Sequence, residues 1–363
     1  MSKSEAPRRK LIQKFADLGF DVYSQLKQKE LPKLEIPSRS ISNIKYDASL
    51  RHYVLGEKRV TRSTSNIRHL KPFTQTIWVA YFVQNLLKAN RSSTLRDIYY
   101  SAEAYDINFK DQEESDGVIT DLEALLRTPR EDFKVFPEER SAVFGDLTVE
   151  YTIPGYEGNT LNLSSSPDGI MIGPALTTSN FIKCRADKVI AIESGGMFTR
   201  LVEERAQKKF NALLIHTAGQ APRSTRRLIR RLNKELSLPV LIFTDGDPWG
   251  CHIAMVIISG SVNAAHIPDL ATPNAIWMGV WATDIEKYGL PTDIFSEQDK
   301  KRVLELLNDP RYQTKFWKRQ LKEFKRIKRK AEQQAFSKFG LGYVVESYIP
   351  EKLELLKRMK LLR

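Results

Sequence analysis

The chain has 363 residues, of which 41% are hydrophobic, and its 57 Lys and Arg against 44 Asp and Glu give a net charge of +13. This length favours two domains, and no apolar run is long enough to cross a bilayer. The two cysteines, Cys184 and Cys251, lack metal-ligand spacing, so neither a disulfide framework nor a zinc site is expected. The basic surplus, without a secretory signal, predicts a cytoplasmic protein with a polyanionic partner, nucleic acid before membrane.

Residues 1–65 are expected to form an N-terminal extension. Apolar residues recur at near-helical spacing over residues 1 to about 30, and Pro32 and Pro37 follow. They are Leu11, Phe15, Leu18, Val22 and Leu26. Such a terminal helix docks on its own core or on a partner chain. Short strands and loops are expected up to about Lys71.

Residues 66–150 show three helical patterns followed by short β-prone pieces. An apolar helix is predicted from Pro72, a second helix starts after Ser92–Thr94, and a third covers about Glu113–Leu126. Three helices followed by a small hairpin is the order of a winged helix-turn-helix, which reads duplex DNA. A plain three-helix bundle fits the same pattern.

Residues 151–185 are rich in Gly, Ser and Pro and are interpreted as a connector. Residues 186–363 then alternate strands (KVIAIE, NALLIHT, PVLIFTD) with helices, which predicts βαβ units and a mostly parallel sheet. From about Lys300 the tail is helical and highly charged, and its apolar residues recur at three- and four-residue steps, which predicts a solvated helix with one packed stripe. Those residues are Trp317, Leu321, Phe324, Ile327 and Ala331.

Three carboxylates stand at strand ends of this second region. Glu193 ends the first strand, ahead of Ser194-Gly195-Gly196, and Asp245 and Asp247 end the third. The carboxyl ends of parallel strands meet at one edge of the sheet, so these side chains are expected to converge. Oxygen ligands of this kind suit one or two Mg²⁺ ions. For the DxD taken alone, a solvated acidic turn is the competing interpretation.

The hexapeptide LRDIYY is the second candidate site. On a helix, Leu95, Ile98 and Tyr99 would face the core, whereas Arg96 and Tyr100 would share another face. A cation beside a phenol can favour the phenolate and hold a phosphate oxygen that gains charge. The competing interpretation is that both tyrosines are amphipathic packing residues.

Together these motifs resemble a known family. A strand ending IAIE with a later TDGDPWG looks like a Toprim domain, and the preceding LRDIYY is similar to the motif of the DNA topoisomerase VI A-subunit family, which includes the meiotic double-strand-break transesterase. GQAPRSTRR (219–227) and WMGVWATDI (277–285) are also similar to family segments. The resemblance covers about residues 65–363. It implies an α/β and α+β multidomain protein, with a winged-helix (CAP-like) domain followed by a Toprim, Rossmann-like α/β domain.

The resemblance also implies a chemistry and partners. Tyr100, the second tyrosine, would form a 5′-phosphotyrosyl link to DNA with help from Arg96, and Glu193, Asp245 and Asp247 would hold Mg²⁺. Two A chains would act with a GHKL-type ATPase B subunit in an A2B2 heterotetramer associated with the nucleoid. No GxxxxGK[ST] P-loop occurs in the sequence, so ATP would be bound by the partner. Tyr99 remains an alternative nucleophile.

Duplex DNA binding is expected to involve a basic helix after residue 222, which carries Arg223, Arg226, Arg227, Arg230 and Arg231. Three other functions remain open: a meiotic-type break former without strand passage, a Toprim nuclease or primase, and a non-enzymatic winged-helix DNA-binding protein.

Overall fold

The computed structural model describes residues 5–362, so Met1–Ser4 and Arg363, the ends of the predicted extension and tail, lie outside the described residues. The chain divides into two compact units. Unit 1 contains residues 5–45, Tyr53–Glu138 and Val262–Pro268, and unit 2 contains Tyr46–His52, Glu139–Ser261 and residues 269–362. The main division therefore falls at Glu138, twelve residues before the end of the region expected to form the winged helix.

Between residue 5, the first that the structure describes, and Glu138, the chain forms four α-helices and six short strands. The helices are α1 (Glu5–Lys27), α2 (Ile67–Ala89), α3 (Leu95–Glu103) and α4 (Gln112–Leu126). The strands are β1 (Lys33–Pro37), β2 (Ile44–Asp47), β3 (His52–Leu55), β4 (Arg59–Ser63), β5 (Ser93–Thr94) and β6 (Val135–Phe136). The strands pair two by two, as β1 with β4, β2 with β3, and β5 with β6.

Local sequence signals account for where these helices begin. The Asn66 side chain accepts a hydrogen bond from the Arg68 amide at 3.0 Å, so α2 begins five residues before the predicted start at Pro72. Pro72 is accommodated inside the helix. Thr94 caps α3 in a reciprocal capping box with Asp97, as the sequence predicts.

The core of unit 1 lies between α1, α2, α3 and α4. Leu11 and Phe15 of α1 are buried in the same apolar cluster as residues of the other three helices. The terminal helix therefore docks on its own unit through these two residues. Phe20, Tyr23 and Leu26 of the same helix are exposed.

Unit 2 continues from Glu139. Its helices are α5 (Pro174–Thr177), α6 (Gly195–Glu203), α7 (Ala206–Lys209), α8 (Arg223–Leu236), α9 (Pro248–Ser259), α10 (Ala282–Lys287), α11 (Glu297–Asn308), α12 (Lys315–Ile327) and α13 (Ile349–Arg358). Its strands are β7 (Ala142–Phe144), β8 (Leu147–Glu150), β9 (Thr160–Asn162), β10 (Ile170–Met171), β11 (Asn180–Cys184), β12 (Lys188–Ile192), β13 (Ala212–His216), β14 (Val240–Phe243), β15 (Ile276–Gly279), β16 (Asp293–Ile294) and β17 (Arg329–Lys330).

A six-stranded sheet in the order β10-β7-β13-β12-β14-β15 organises unit 2. The pairs β13–β12, β12–β14 and β14–β15 are parallel, which confirms the predicted βαβ alternation. Strands β12, β13 and β14 consist almost entirely of buried residues, as expected when both faces of a parallel sheet are covered.

The segment expected to be a connector is part of unit 2. Strand β10 pairs with β7 at the edge of the large sheet, and β11 and β9 flank β8 in a separate three-stranded sheet. The strands β7 and β8, expected to form the hairpin of a winged helix, thus lie in unit 2. The sequence indicated a connector here because each strand is only two to five residues long, and short strands interrupted by Gly and Ser carry little periodicity.

The tail has the predicted packed stripe on α12, except that Ala331 lies beyond the end of this helix at Ile327. Trp317, Leu321 and Phe324 of α12 are buried, and the Trp317 ring stacks on that of Trp277 with centroids 4.8 Å apart. Among the helices that the structure describes between residues 5 and 362, none combines the length and apolar character that a membrane span requires.

Candidate metal centre and tyrosine helix

Adjacent parallel strands bring two of the predicted carboxylates together. Glu193 directly follows β12 and Asp245 lies two residues after β14, and these strands pair side by side. The Glu193 Oε2 atom accepts a hydrogen bond from the Asp245 amide at 3.0 Å. The ends of β12 and β14 therefore lie side by side, as the sequence predicts.

Asp247 belongs to the sharp turn that starts α9. Its Oδ1 atom accepts a hydrogen bond from the Gly250 amide at 2.6 Å and so caps the helix, with Pro248 in the first turn. A Cβ atom at Gly250 would lie 2.2 Å from the Asp245 carbonyl oxygen, so only glycine fits there. The glycine that ends the motif TDGDPWG is therefore required for steric reasons.

The three carboxylates share an environment that opposes their negative charge. Burial raises the pKa of Glu193 to about 8, and the charge of Asp245 adds to this increase. Burial also raises the pKa of Asp245 to about 6, partly offset by the hydrogen bond from the Gln333 amide. Burial raises the pKa of Asp247, against the hydrogen bond from Gly250 and the attraction of Lys330. A bound cation would relieve this repulsion.

The chemistry of these donors fits Mg²⁺. Carboxylate oxygens are the ligands that this ion takes from proteins, and a cation would favour the ionised forms of Glu193 and Asp245, whose pKa values burial raises. Within residues 5–362, no three His, Cys, Asp or Glu side chains are already arranged as a complete metal-ligand cluster. Glu193, Asp245 and Asp247 are the residues of this site that could hold the ion.

Residues distant in sequence complete the surroundings, and sequence reasoning missed them. Lys330 pairs with Asp299 at 2.9 Å, and Asp299 also accepts a hydrogen bond from the Trp249 indole at 3.2 Å. The backbone N–H of Gln333 donates a hydrogen bond to Asp245 Oδ1 at 2.8 Å. The segment 330–333 lies just beyond the end of α12, and its sequence carries no motif that would have identified it as part of the site.

The LRDIYY segment forms the start of α3 in unit 1. Leu95 and Ile98 are buried, Tyr99 is half-buried, and Tyr100 is 59% exposed. The two tyrosine rings meet edge to face with centroids 5.3 Å apart. Of the two tyrosines, Tyr100 therefore has the more accessible hydroxyl-bearing ring.

Arg96 lies exposed on the same helix and forms an ion pair with Glu138 at 3.2 Å. Both side chains of this pair are more than half exposed, and such pairs stabilise a protein by only about 0–1 kcal/mol. Arg96 can therefore exchange Glu138 for a phosphate oxygen at little cost.

The predicted arginine-rich helix, α8, is less exposed than expected. Arg226 is only 6% exposed, and Arg223, Arg227, Arg230 and Arg231 are half-buried. Arg231 donates to the carbonyl oxygens of Thr177 and Ser179 and lies over the Phe181 ring. Residues of the supposed connector thus cover part of the basic face of α8, and Arg226 is not placed for direct contact with DNA.

Comparisons with known proteins agree with this arrangement. A family profile for the Toprim domain shared by the topoisomerase 6 A subunit and Spo11 matches residues 188–353, and a profile described as "Type IIB DNA topoisomerase" matches residues 71–135. The first profile covers the parallel strands β12 to β15 and the three carboxylates, and the second covers the tyrosine helix. The class of protein is therefore a type IIB DNA topoisomerase with a Toprim domain.

Individual relatives define the family further. The chain is 47% identical over 347 residues to the type 2 DNA topoisomerase 6 A subunit of Methanothermobacter thermautotrophicus, covering 94% of this chain and 97% of that protein. The corresponding proteins of Archaeoglobus fulgidus and Natronomonas pharaonis are 40% and 38% identical, over 92% and 97% of this chain and 94% and 96% of their own lengths. The chain belongs to the family of type 2 DNA topoisomerase 6 A subunits, which are isomerases.

Proposed function

We propose that this chain is the DNA-cleaving and religating component of an ATP-dependent type IIB topoisomerase, with Tyr100 as its nucleophile. The observation that carries the proposal is the exposure of Tyr100 on a helix that shares its surface with a weakly held cation, Arg96. Membership of the topoisomerase 6 A-subunit family supports the reaction class.

The proposed step is a transesterification. The Tyr100 hydroxyl loses its proton and its oxygen bonds to a backbone phosphorus of DNA, while the bond from phosphorus to the 3′ oxygen breaks. The 3′ oxygen takes up a proton and leaves as a hydroxyl, so the chain holds the 5′ end as a phosphotyrosyl ester. Because the ester keeps the energy of the phosphodiester, the reverse reaction reseals the strand without ATP.

Arg96 would stabilise the phosphate oxygens as they gain charge. Mg²⁺ held by Glu193, Asp245 and Asp247 would supply further positive charge to the phosphate or the leaving oxygen. The raised pKa values of Glu193 and Asp245 support a role as cation ligands, because these carboxylates are costly to ionise in the folded chain alone.

The proposal includes an assembly. Cutting both strands requires two tyrosines and hence a homodimer of A subunits, and strand passage requires an ATPase, which we propose is a GHKL-type B subunit in an A2B2 complex. Duplex DNA would be bound through the net charge of +13, with Arg223 and Arg227 among the candidate phosphate contacts. We place such a complex in the cytoplasm, associated with the nucleoid.

Three substitutions in the tyrosine helix test the nucleophile. The complete complex with its B subunit, ATP and Mg²⁺ is mixed with duplex DNA and stopped with denaturant, and covalent protein–DNA product is then measured. Tyr100→Phe should give none, Tyr99→Phe should give the wild-type amount, and Arg96→Ala should give severely less. Activity of Tyr100→Phe with loss in Tyr99→Phe would move the nucleophile by one residue. Cleavage by the double tyrosine variant, with protein-free DNA ends, would replace the proposal with a nuclease.

A further inference from the structure

The side chain of Gln333 contacts the backbone beside Glu193 and Asp245, where the Glu193 amide already donates to the Phe243 carbonyl at 3.1 Å. Its Nε2 atom donates to the Phe243 carbonyl at 2.8 Å, and its Oε1 atom accepts from the Ser194 amide at 3.0 Å. Ser194 directly follows Glu193, and Phe243 is the last residue of β14. One side-chain amide group therefore hydrogen-bonds the last residue of β14 and the residue that follows Glu193, beside both carboxylates.

The main chain of the same residue adds a third contact to the site. The Gln333 amide donates to Asp245 Oδ1 at 2.8 Å and so orients that carboxylate. The segment is itself fixed, because Gly246 and Ala331 exchange two backbone hydrogen bonds of 2.8 and 3.1 Å. Gln333 is thus attached to the strand end and not merely near it.

Burial makes these contacts specific. Gln333 is 0% exposed. A buried amide that lost its hydrogen-bond partners would lower the free energy of unfolding by about 1–3 kcal/mol, so the side-chain oxygen and nitrogen of Gln333 are held on their present partners. Only one orientation of the amide satisfies both neighbours, with the oxygen toward the Ser194 N–H and the nitrogen toward the Phe243 carbonyl. An apolar side chain of the same length could fill this space, but the Ser194 amide would lose this acceptor and the Phe243 carbonyl would keep only the Glu193 amide, at 3.1 Å.

We propose that Gln333 is a positioning residue of the carboxylate site, which joins the ends of β12 and β14 and thereby sets the separation of Glu193 and Asp245 at which a divalent cation binds. The inference rests on the proposed role of these carboxylates as Mg²⁺ ligands. Groups that orient metal ligands without touching the metal typically change metal affinity by about 10–100-fold when removed.

The chain offers a matched control in Gln320. This second glutamine is 2% exposed in the same unit, and its amide exchanges hydrogen bonds with Thr283 on α10, among residues other than the three carboxylates. Gln320→Met and Gln333→Met remove the same groups from equally buried sites. If only Gln333→Met loses Mg²⁺ affinity, the cause is the position of Gln333 beside the carboxylates and not a general destabilisation of the fold.

The test measures Mg²⁺ binding by the full-length chain through calorimetry and through the rise of Tm with added Mg²⁺. Gln333→Met should bind Mg²⁺ roughly tenfold more weakly than wild type, whereas Gln320→Met should bind as wild type does. In the complete complex, raised Mg²⁺ should restore covalent cleavage by Gln333→Met. Should Gln333→Met fail to fold, Gln333→Asn, which keeps the amide but is one methylene shorter, enters the same comparison.

Two results would overturn the inference: unchanged Mg²⁺ affinity in Gln333→Met, or an equal loss in both Met variants. Glu193→Ala separates this failure from that of the proposed function. If Glu193→Ala binds Mg²⁺ as tightly as wild type, the carboxylate site itself is not the metal site. If Glu193→Ala loses Mg²⁺ while Gln333→Met keeps it, the site stands and only the positioning role is lost.

Discussion

Replacing Glu193 by Gln should stabilise the metal-free chain at alkaline pH. The substitution preserves shape and keeps an oxygen that can accept the Asp245 amide, which the Glu193 Oε2 atom now accepts at 3.0 Å. It removes a negative charge that burial and Asp245 oppose. The effect should therefore come from the charge and not from packing.

The size of the effect follows from the pKa of Glu193, which rises from 4.5 to about 8 on folding. Each pKa difference of one is worth about 1.4 kcal/mol, so full ionisation of Glu193 in the folded state costs at most about 5 kcal/mol. Water and side-chain movements relax around a half-buried carboxylate, and we expect roughly 2 kcal/mol to be measured. For a unit of this size that corresponds to a Tm increase of roughly 4–8 °C.

The direction of the pKa shift of Glu193 determines the pH range in which the two proteins differ in stability. The folded state binds the Glu193 proton more tightly than the unfolded state does, so this group makes wild type lose stability as pH rises from about 4.5 to about 8. Glu193→Gln lacks that loss, and the difference in Tm should be small near pH 4.5, grow through neutral pH and level off above about 8.

Thermal unfolding in chelator-treated buffer across this pH range measures the difference. Glu297→Gln is a suitable control, because Glu297 is exposed on α11 and its removal should change the unfolding free energy by less than about 0.5 kcal/mol. A Tm difference between wild type and Glu193→Gln that stayed constant from pH 4.5 to 8 would refute the electrostatic reasoning. Added Mg²⁺ should stabilise wild type and leave Glu193→Gln nearly unchanged.

Three further results are expected. Asp247→Ala should lose Mg²⁺ binding and also the cap of α9, and the lost cap should lower the free energy of unfolding by about 1 kcal/mol. Asp247→Asn should keep the capping oxygen and lose only Mg²⁺ binding. Urea denaturation measures the first effect and calorimetry the second. Gly250→Ala should unfold at much lower urea than wild type, because its Cβ would lie 2.2 Å from the Asp245 carbonyl oxygen, while Gly117→Ala on α4, where nothing lies within 4 Å, should not. Duplex DNA binding by the chain should weaken at least tenfold between about 50 and about 200 mM salt, and a salt-independent Kd would contradict phosphate contacts by basic residues.

Much of unit 2 could be predicted because its strands carry their own signal. Buried runs such as Val240–Phe243 are apolar throughout, and parallel strands necessarily end at one edge, so Glu193 and Asp245 could be placed together without a structure. The face of α3 was predictable for a similar reason, since helical geometry separates Ile98 from Tyr100.

The sequence could not show what covers a surface. The arginines of α8 have the spacing of a basic binding face, yet Arg231 contacts Thr177 and Ser179, more than 50 residues earlier. Those contacts depend on where residues 174–184 fold, and the short helix α5 and strand β11 of this segment left no periodic pattern. A charge pattern reports which residues are polar, but the partner of each charge is decided by tertiary structure.

Gln333 illustrates the same limit at the candidate site itself. It lies 88 residues after Asp245 and 139 after Ser194, and glutamine in a charged tail carries no motif. What marks it is the combination of full burial with hydrogen bonds to two strand ends, and neither property exists until the chain has folded. The carboxylates repel one another, and a neutral group can add a link between their strand ends without adding charge. An amide can form such a link because it donates and accepts at once, whereas a lysine would compete with the cation and a carboxylate would add to the repulsion.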